Sequence, residues 1–101
     1  MTETFGSYLR TLREEAKLSM GRLADDIKVS VTYLSDVERD KRAPLKSPRI
    51  AMVRKILDLK PKQEMRLRFL AARRSGKVEV DVSGLDDEAL ERLLCLVMNY
   101  E

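Results

Sequence analysis

The side chains best suited to chemistry crowd into the stretch from Ser30 to Arg49. Hydroxyls (Ser30, Thr32, Tyr33, Ser35), carboxylates (Asp36, Glu38, Asp40) and cations (Arg39, Lys41, Arg42, Lys46, Arg49) alternate there. What they lack is equally informative. The 101 residues include no histidine, which removes the commonest general base and the commonest zinc ligand, and only one cysteine, which allows no internal disulfide. Nor is there a glycine-rich loop to cradle a phosphate. Enzymes, metal centres and cofactor sites are therefore poor expectations. Cys95 is expected to be a small apolar packing residue rather than a redox centre, since Arg92 is the only cation near it in sequence.

Hydroxyls and cations without a base or nucleophile suit recognition, and the charge distribution says of what. The net charge of +3 hides three blocks. Residues 1–46 carry nine basic and eight acidic groups, residues 47–77 ten and two, and residues 78–101 one and seven. A basic middle points to a polyanion, and an acidic tail to a different task.

The elements that must position these residues read as helices. Met20, Leu23, Ala24 and Ile27 recur at helical spacing, then Leu34 and Val37 after a break at Lys28-Val29. Each run follows a serine, Ser19 or Ser30, able to cap a helix start. On the wheel of the third helix, about 30–39, Leu34, Val37 and Glu38 face inward, whereas Thr32, Ser35, Asp36 and Arg39 face out with Val31 at the tip. A buried Glu38 would be costly alone, so an ion pair with Arg13 of the first helix is expected. That first helix, about Thr4 to Lys17, shows one stripe of Phe5, Leu9, Leu12 and Ala16.

After a proline-bearing, basic loop from Asp40, Ser47 and Pro48 suit a helix start, with Ser47 as cap. Pro61 opens a fifth helix running to about Ser75, in which Met65, Phe69 and Ala72 form one stripe and Leu67 and Leu70 lie beside it. From Lys77 the period changes. Val78, Val80 and Val82 alternate with acids as in a half-buried strand, whose natural partner is the same strand of a second copy. Ser83-Gly84 reads as a turn and Asp86 as the cap of a last helix presenting Leu90, Leu93, Leu94 and Val97. These valines and helix residues are the expected dimer interface.

The run from Leu9 to Pro44, with its LRxLRExxxLS opening, Leu23-Ala24, the Ser30-Val-Thr-Tyr-Leu-Ser helix and the Val37-Glu38-Arg39 exit, resembles the helix-turn-helix of Cro and lambda repressor, the XRE family of regulators. The resemblance covers about residues 5–58. It implies an all-α fold with a five-helix repressor-like DNA-binding domain, placed at 1–76; the C-terminal strand and helix read from the change of period, at 77–101, are then the appendage for dimerisation. It implies base reading by Val31, Thr32 and Asp36 of the third helix in the major groove, and phosphate binding by Tyr33, Ser35, Arg39, Lys41, Arg42, Lys46 and Arg49. It also implies the Arg13–Glu38 pair. Three departures stand out. Met20 replaces a glutamine that often grips phosphate, Lys28 replaces the usual turn glycine, and the loop after the third helix is longer than in compact repressors.

The expected protein is thus a sequence-specific transcriptional regulator, a repressor binding double-stranded DNA as a homodimer. The alternative is an antitoxin-like or adaptor protein whose tail binds a partner protein, a toxin or another. No apolar run is long enough to span a bilayer and the N-terminal residues lack the pattern of a signal peptide, so no membrane contact and a cytoplasmic location are expected.

Overall fold

The structure, a computed structural model, describes residues 3–78 and 81–98. It is all-helical: α1 (Phe5–Glu15), α2 (Met20–Asp26), α3 (Val31–Glu38), α4 (Ser47–Ile56), α5 (Pro61–Ser75) and α6 (Asp87–Met98). Five helices thus precede the change of sequence period, and one follows it.

Short side chains start most of them. The Thr4 hydroxyl accepts from the Ser7 N–H at 3.1 Å while the Ser7 hydroxyl oxygen accepts from the Thr4 N–H at 3.0 Å, a reciprocal cap for α1. Ser19 and Ser30 accept from the Arg22 and Tyr33 N–H groups at 3.1 and 3.0 Å, and Asp86 from that of Ala89 at 2.7 Å. Ser47 does not cap α4. It lies one residue inside the helix, after Lys46, and its hydroxyl accepts instead from Arg68 Nη1 at 2.8 Å.

The helix ends repeat one device four times. Lys17, Lys28, Asp40 and Asp58 follow the C-caps of α1 to α4, all left-handed, with φ of 57°, 61°, 59° and 51°. In each case the next residue donates back into the last turn: Leu18 to the Arg13 carbonyl, Val29 to Ala24, Lys41 to Asp36 and Leu59 to Arg54. Glycine is the ordinary occupant of such a position, because a side chain there costs about 1–2 kcal/mol. Glycine also loses more freedom on folding, by about 0.5–1 kcal/mol. Lys17→Gly and Lys28→Gly, at exposed positions, are therefore each expected to stabilise by about 0.5–1 kcal/mol in urea unfolding. A loss of stability in both would mean that these turns hold the lysines for a reason beyond backbone shape.

The core gathers Leu9, Leu23, Ile27, Leu34, Val53 and Leu67, all fully buried. α3 packs on α1 and α2, and α5 on α1 and α4. The face α5 buries is Leu67 and Leu70, not the expected stripe: Met65 is 71% and Phe69 49% exposed. Both stripes are apolar, so hydrophobicity alone does not choose between them. Their charged neighbours do. Lys62, Arg66 and Arg73 flank Met65 and Phe69 and keep that face in water, whereas Arg68, beside Leu67, is satisfied by Glu64 at 3.1 Å and by Ser47.

The expected strand is absent among the described residues. Lys77, Val78, Asp81 and Val82 have no regular structure, and Val80 lies outside the described residues. A strand needs a ladder partner for its backbone groups, and the helical domain offers none. Locally the backbone turns instead. The Asp81 carboxylate accepts from the Ser83 N–H at 3.0 Å and from its hydroxyl at 2.7 Å, bonds that lower its pKa. α6 follows and buries no residue: Leu90 and Leu93 are half-buried, Leu94 and Val97 exposed.

Candidate nucleic-acid interface

α3 is a short helix clamped at one end and open at the other. Its inward face, Leu34 and Val37, is fully buried against α1 and α2. Glu38 is inward too, its side chain 1% exposed, and forms a two-pronged pair with Arg13: Nε to Oε2 at 2.7 Å and Nη2 to Oε1 at 3.0 Å. The third prong of the guanidinium, Nη1, donates to the Leu18 carbonyl at 3.0 Å, so α1, its C-terminal turn and α3 share one cation. Hydrogen bonding to Glu38 raises the Arg13 pKa against the opposing effect of burial, and the guanidinium stays charged.

Two further contacts fix the same end. The Asp40 carboxylate accepts from the Gly6 N–H at 3.0 Å and from the Thr4 hydroxyl, which places a negative charge at the N-terminus of α1. Arg74 of α5 approaches Asp40 Oδ1, the oxygen that accepts from Gly6, at 3.4 Å. Gly6 itself touches the exit of α3 so closely that an added Cβ would lie within 2.5 Å of the Glu38 carbonyl oxygen. Neither Gly6 nor Asp40 stands out in the sequence as a positioning residue. The available signal for Gly6 was its place inside a strongly periodic helix, where glycine costs about 1 kcal/mol unless something requires it. For Asp40 there was none, its partners lying 34 and 36 residues away.

The open face of α3 carries the expected recognition residues. Val31, 51% exposed, and the exposed Thr32 form its N-terminal tip. Further along, Asp36 is held by two cations, Arg39 Nη2 at 3.2 Å and Arg42 Nε at 3.8 Å. The Arg42 guanidinium also lies over the Tyr33 ring, 5.2 Å from its centre. Tyr33, Asp36, Arg39 and Arg42 are thereby brought together although the loop separates the last from the helix. Ser35 is half-buried beside them, and Lys41 and Lys46 are exposed. The loop between Lys41 and Lys46 is anchored by Leu45, 3% exposed, whose burial no periodic pattern announces.

Arg49 is differently placed. Its Nε donates to the Ile27 carbonyl at 3.1 Å and its Nη2 to that of Lys28 at 3.5 Å, so it steadies the turn between α2 and α3. That turn is tight because Lys28 adopts the left-handed conformation that a glycine would take more cheaply.

Two capped helices joined by a left-handed turn, the second with a buried inner face and a polar outer one, define a helix-turn-helix protein. Comparison with known families agrees: residues 4–60 match the helix-turn-helix domain family, more than half of the chain, and the protein belongs to it. No curated protein matches the chain significantly. Among the described residues no helix is long and apolar enough to cross a membrane.

Proposed function

We propose that the protein is a sequence-specific DNA-binding regulator of transcription, of the Cro and lambda-repressor kind, acting in the cytoplasm as a homodimeric repressor. Each α3 enters a major groove, the two copies lying about 34 Å apart on an imperfect palindrome. The observation that carries this reading is the division of α3 into an anchored inner face and an exposed outer one, with the cations Arg39, Lys41 and Arg42 at its exit.

Val31 and the Thr32 methyl group contact thymine methyls, and the Thr32 hydroxyl bonds a base edge or phosphate. Asp36 accepts from cytosine N4, for which its two arginines must swing to phosphates. Tyr33, Ser35, Arg39, Lys41, Arg42 and Lys46 hold the DNA backbone. Arg49 contributes by holding the turn before α3, leaving its Nη1 for a phosphate.

The test is selection of bound sites from random DNA followed by salt titration of the variants. Thr32→Ala is expected to alter the selected sequence. Arg42→Ala is expected to weaken binding to all sequences and to reduce the salt slope by about 1. Asp36→Ala removes a charge that repels phosphate and frees Arg39 and Arg42, so general affinity rises while sequence choice blurs. Unchanged site and slope in all three would exclude α3 as the reading element. A second reading, a module that binds a partner protein through its tail, is favoured by one observation, that α6 buries nothing of its own.

A further inference from the structure

We propose that α6 docks on the outer face of α5 of a second copy of this chain, each copy lending its α6 to the other. The inference rests on the homodimer reading above and names the surfaces that make it. Two uncovered faces of opposite charge support it. Along α5, Lys62, Met65, Arg66 and Phe69 are spaced i, i+3, i+4, i+7 and all are exposed. Arg66 and Arg73 lie over the Phe69 ring, 5.1 and 5.5 Å from its centre, so large apolar groups and cations form one continuous surface. Arg66 is shared with Glu3 at 2.8 Å.

Along α6 the same spacing returns with the sign reversed: Asp87, Leu90, Glu91 and Leu94, which with Cys95 and Met98 line a shallow groove. Cations beside Met and Phe on one helix thus match carboxylates beside leucines on the other, a pairing that sets both affinity and partner choice.

The energetics demand a cover. A helix of 12 residues is marginal alone in water, and α6 buries no residue to stabilise itself. On the face named above, Leu94 is 46% and Met98 52% exposed, large apolar groups that a docked helix would cover. α5 uses its Leu67–Leu70 face to pack on α1 and α4, so docking on its opposite side leaves α3 free.

The experiment is sedimentation of the full chain with charge-reversed pairs. Lys62→Glu with Arg66→Glu, and separately Asp87→Lys with Glu91→Lys, are each expected to be monomeric at concentrations where the native chain is dimeric. An equimolar mixture of the two is expected to recover the dimer, because both helix pairs then regain opposite charges. Met65→Ser, a surface change checked for intact folding by circular dichroism, is expected to weaken the dimer as well. Persistence of the dimer in the α5 variant overturns the proposal and marks α6 pairing with α6. So does an unaltered dimer in Met65→Ser, or a mixture that stays monomeric. A native chain that is monomeric in solution and binds its site as one copy removes the homodimer reading itself. Two native copies per palindrome with an α5 variant still dimeric removes only the α5–α6 contact.

Discussion

Replacing Glu38 with alanine is expected to leave the Arg13 guanidinium buried without its counter-charge, at a cost of about 3–5 kcal/mol. The native side chains are only 10% and 1% exposed, so water screens the loss poorly. A small domain has roughly 5–15 kcal/mol in all, and the variant should be extensively unfolded well below the native midpoint. Arg13→Met combined with Glu38→Leu is expected to behave differently, folding about as well as the native chain, because both charges leave together. Urea unfolding of the two single variants and the double variant measures this directly. A Glu38→Ala cost under about 1 kcal/mol would mean that the pair is wetter than its geometry shows.

The second large effect is expected from a single methyl group. Gly6→Ala places a Cβ against the backbone of Val37 and Glu38, which cannot step aside as a flexible side chain would. Either α1 and α3 separate or the Arg13–Glu38 pair stretches, and a loss of about 1–3 kcal/mol follows, as for other overpacked sites. Gly21→Ala, the same change in the first turn of α2, meets nothing within 4 Å and is expected to stabilise by up to about 1 kcal/mol. Opposite signs for one chemical change, read from thermal midpoints, test whether the approach of α1 to α3 is as close as described. Equal effects would exclude it.

What the sequence makes legible here depends on how far apart the interacting residues lie. Helix starts are local, and Thr4, Ser19, Ser30 and Asp86 advertise them; Ser47 misleads by one position because Arg68, far along the chain, competes for its hydroxyl. The inward side of α3 follows from spacing alone, and an inward Glu38 demands a cation, which the structure supplies in Arg13. Lys28 stands where the resemblance leads one to look for glycine, and the backbone keeps the left-handed conformation there. Less legible are choices settled by tertiary neighbours: which stripe of α5 is buried, why α1 carries Gly6, and what Asp40 caps. The valine alternation after Lys77 specifies a face but no partner, and a face without a partner does not make a strand. On the outer face of α3, residue types announce Val31, Thr32 and the cations as the proposed recognition surface, whereas the Arg39–Asp36–Arg42 cluster needs the loop to fold back before it exists.

The clamped end of α3 makes the helix a cantilever. The polar contacts that fix its exit, those of Glu38 and Asp40 and the close approach of Gly6, sit at its root, while Val31 and Thr32 at the tip are exposed. Exposed substitutions of this kind usually stay within about 0.5 kcal/mol of neutral. Under the proposed DNA reading, specificity in such a device is separable from stability, and the tip can be rewritten for a new target without re-engineering the framework that aims it.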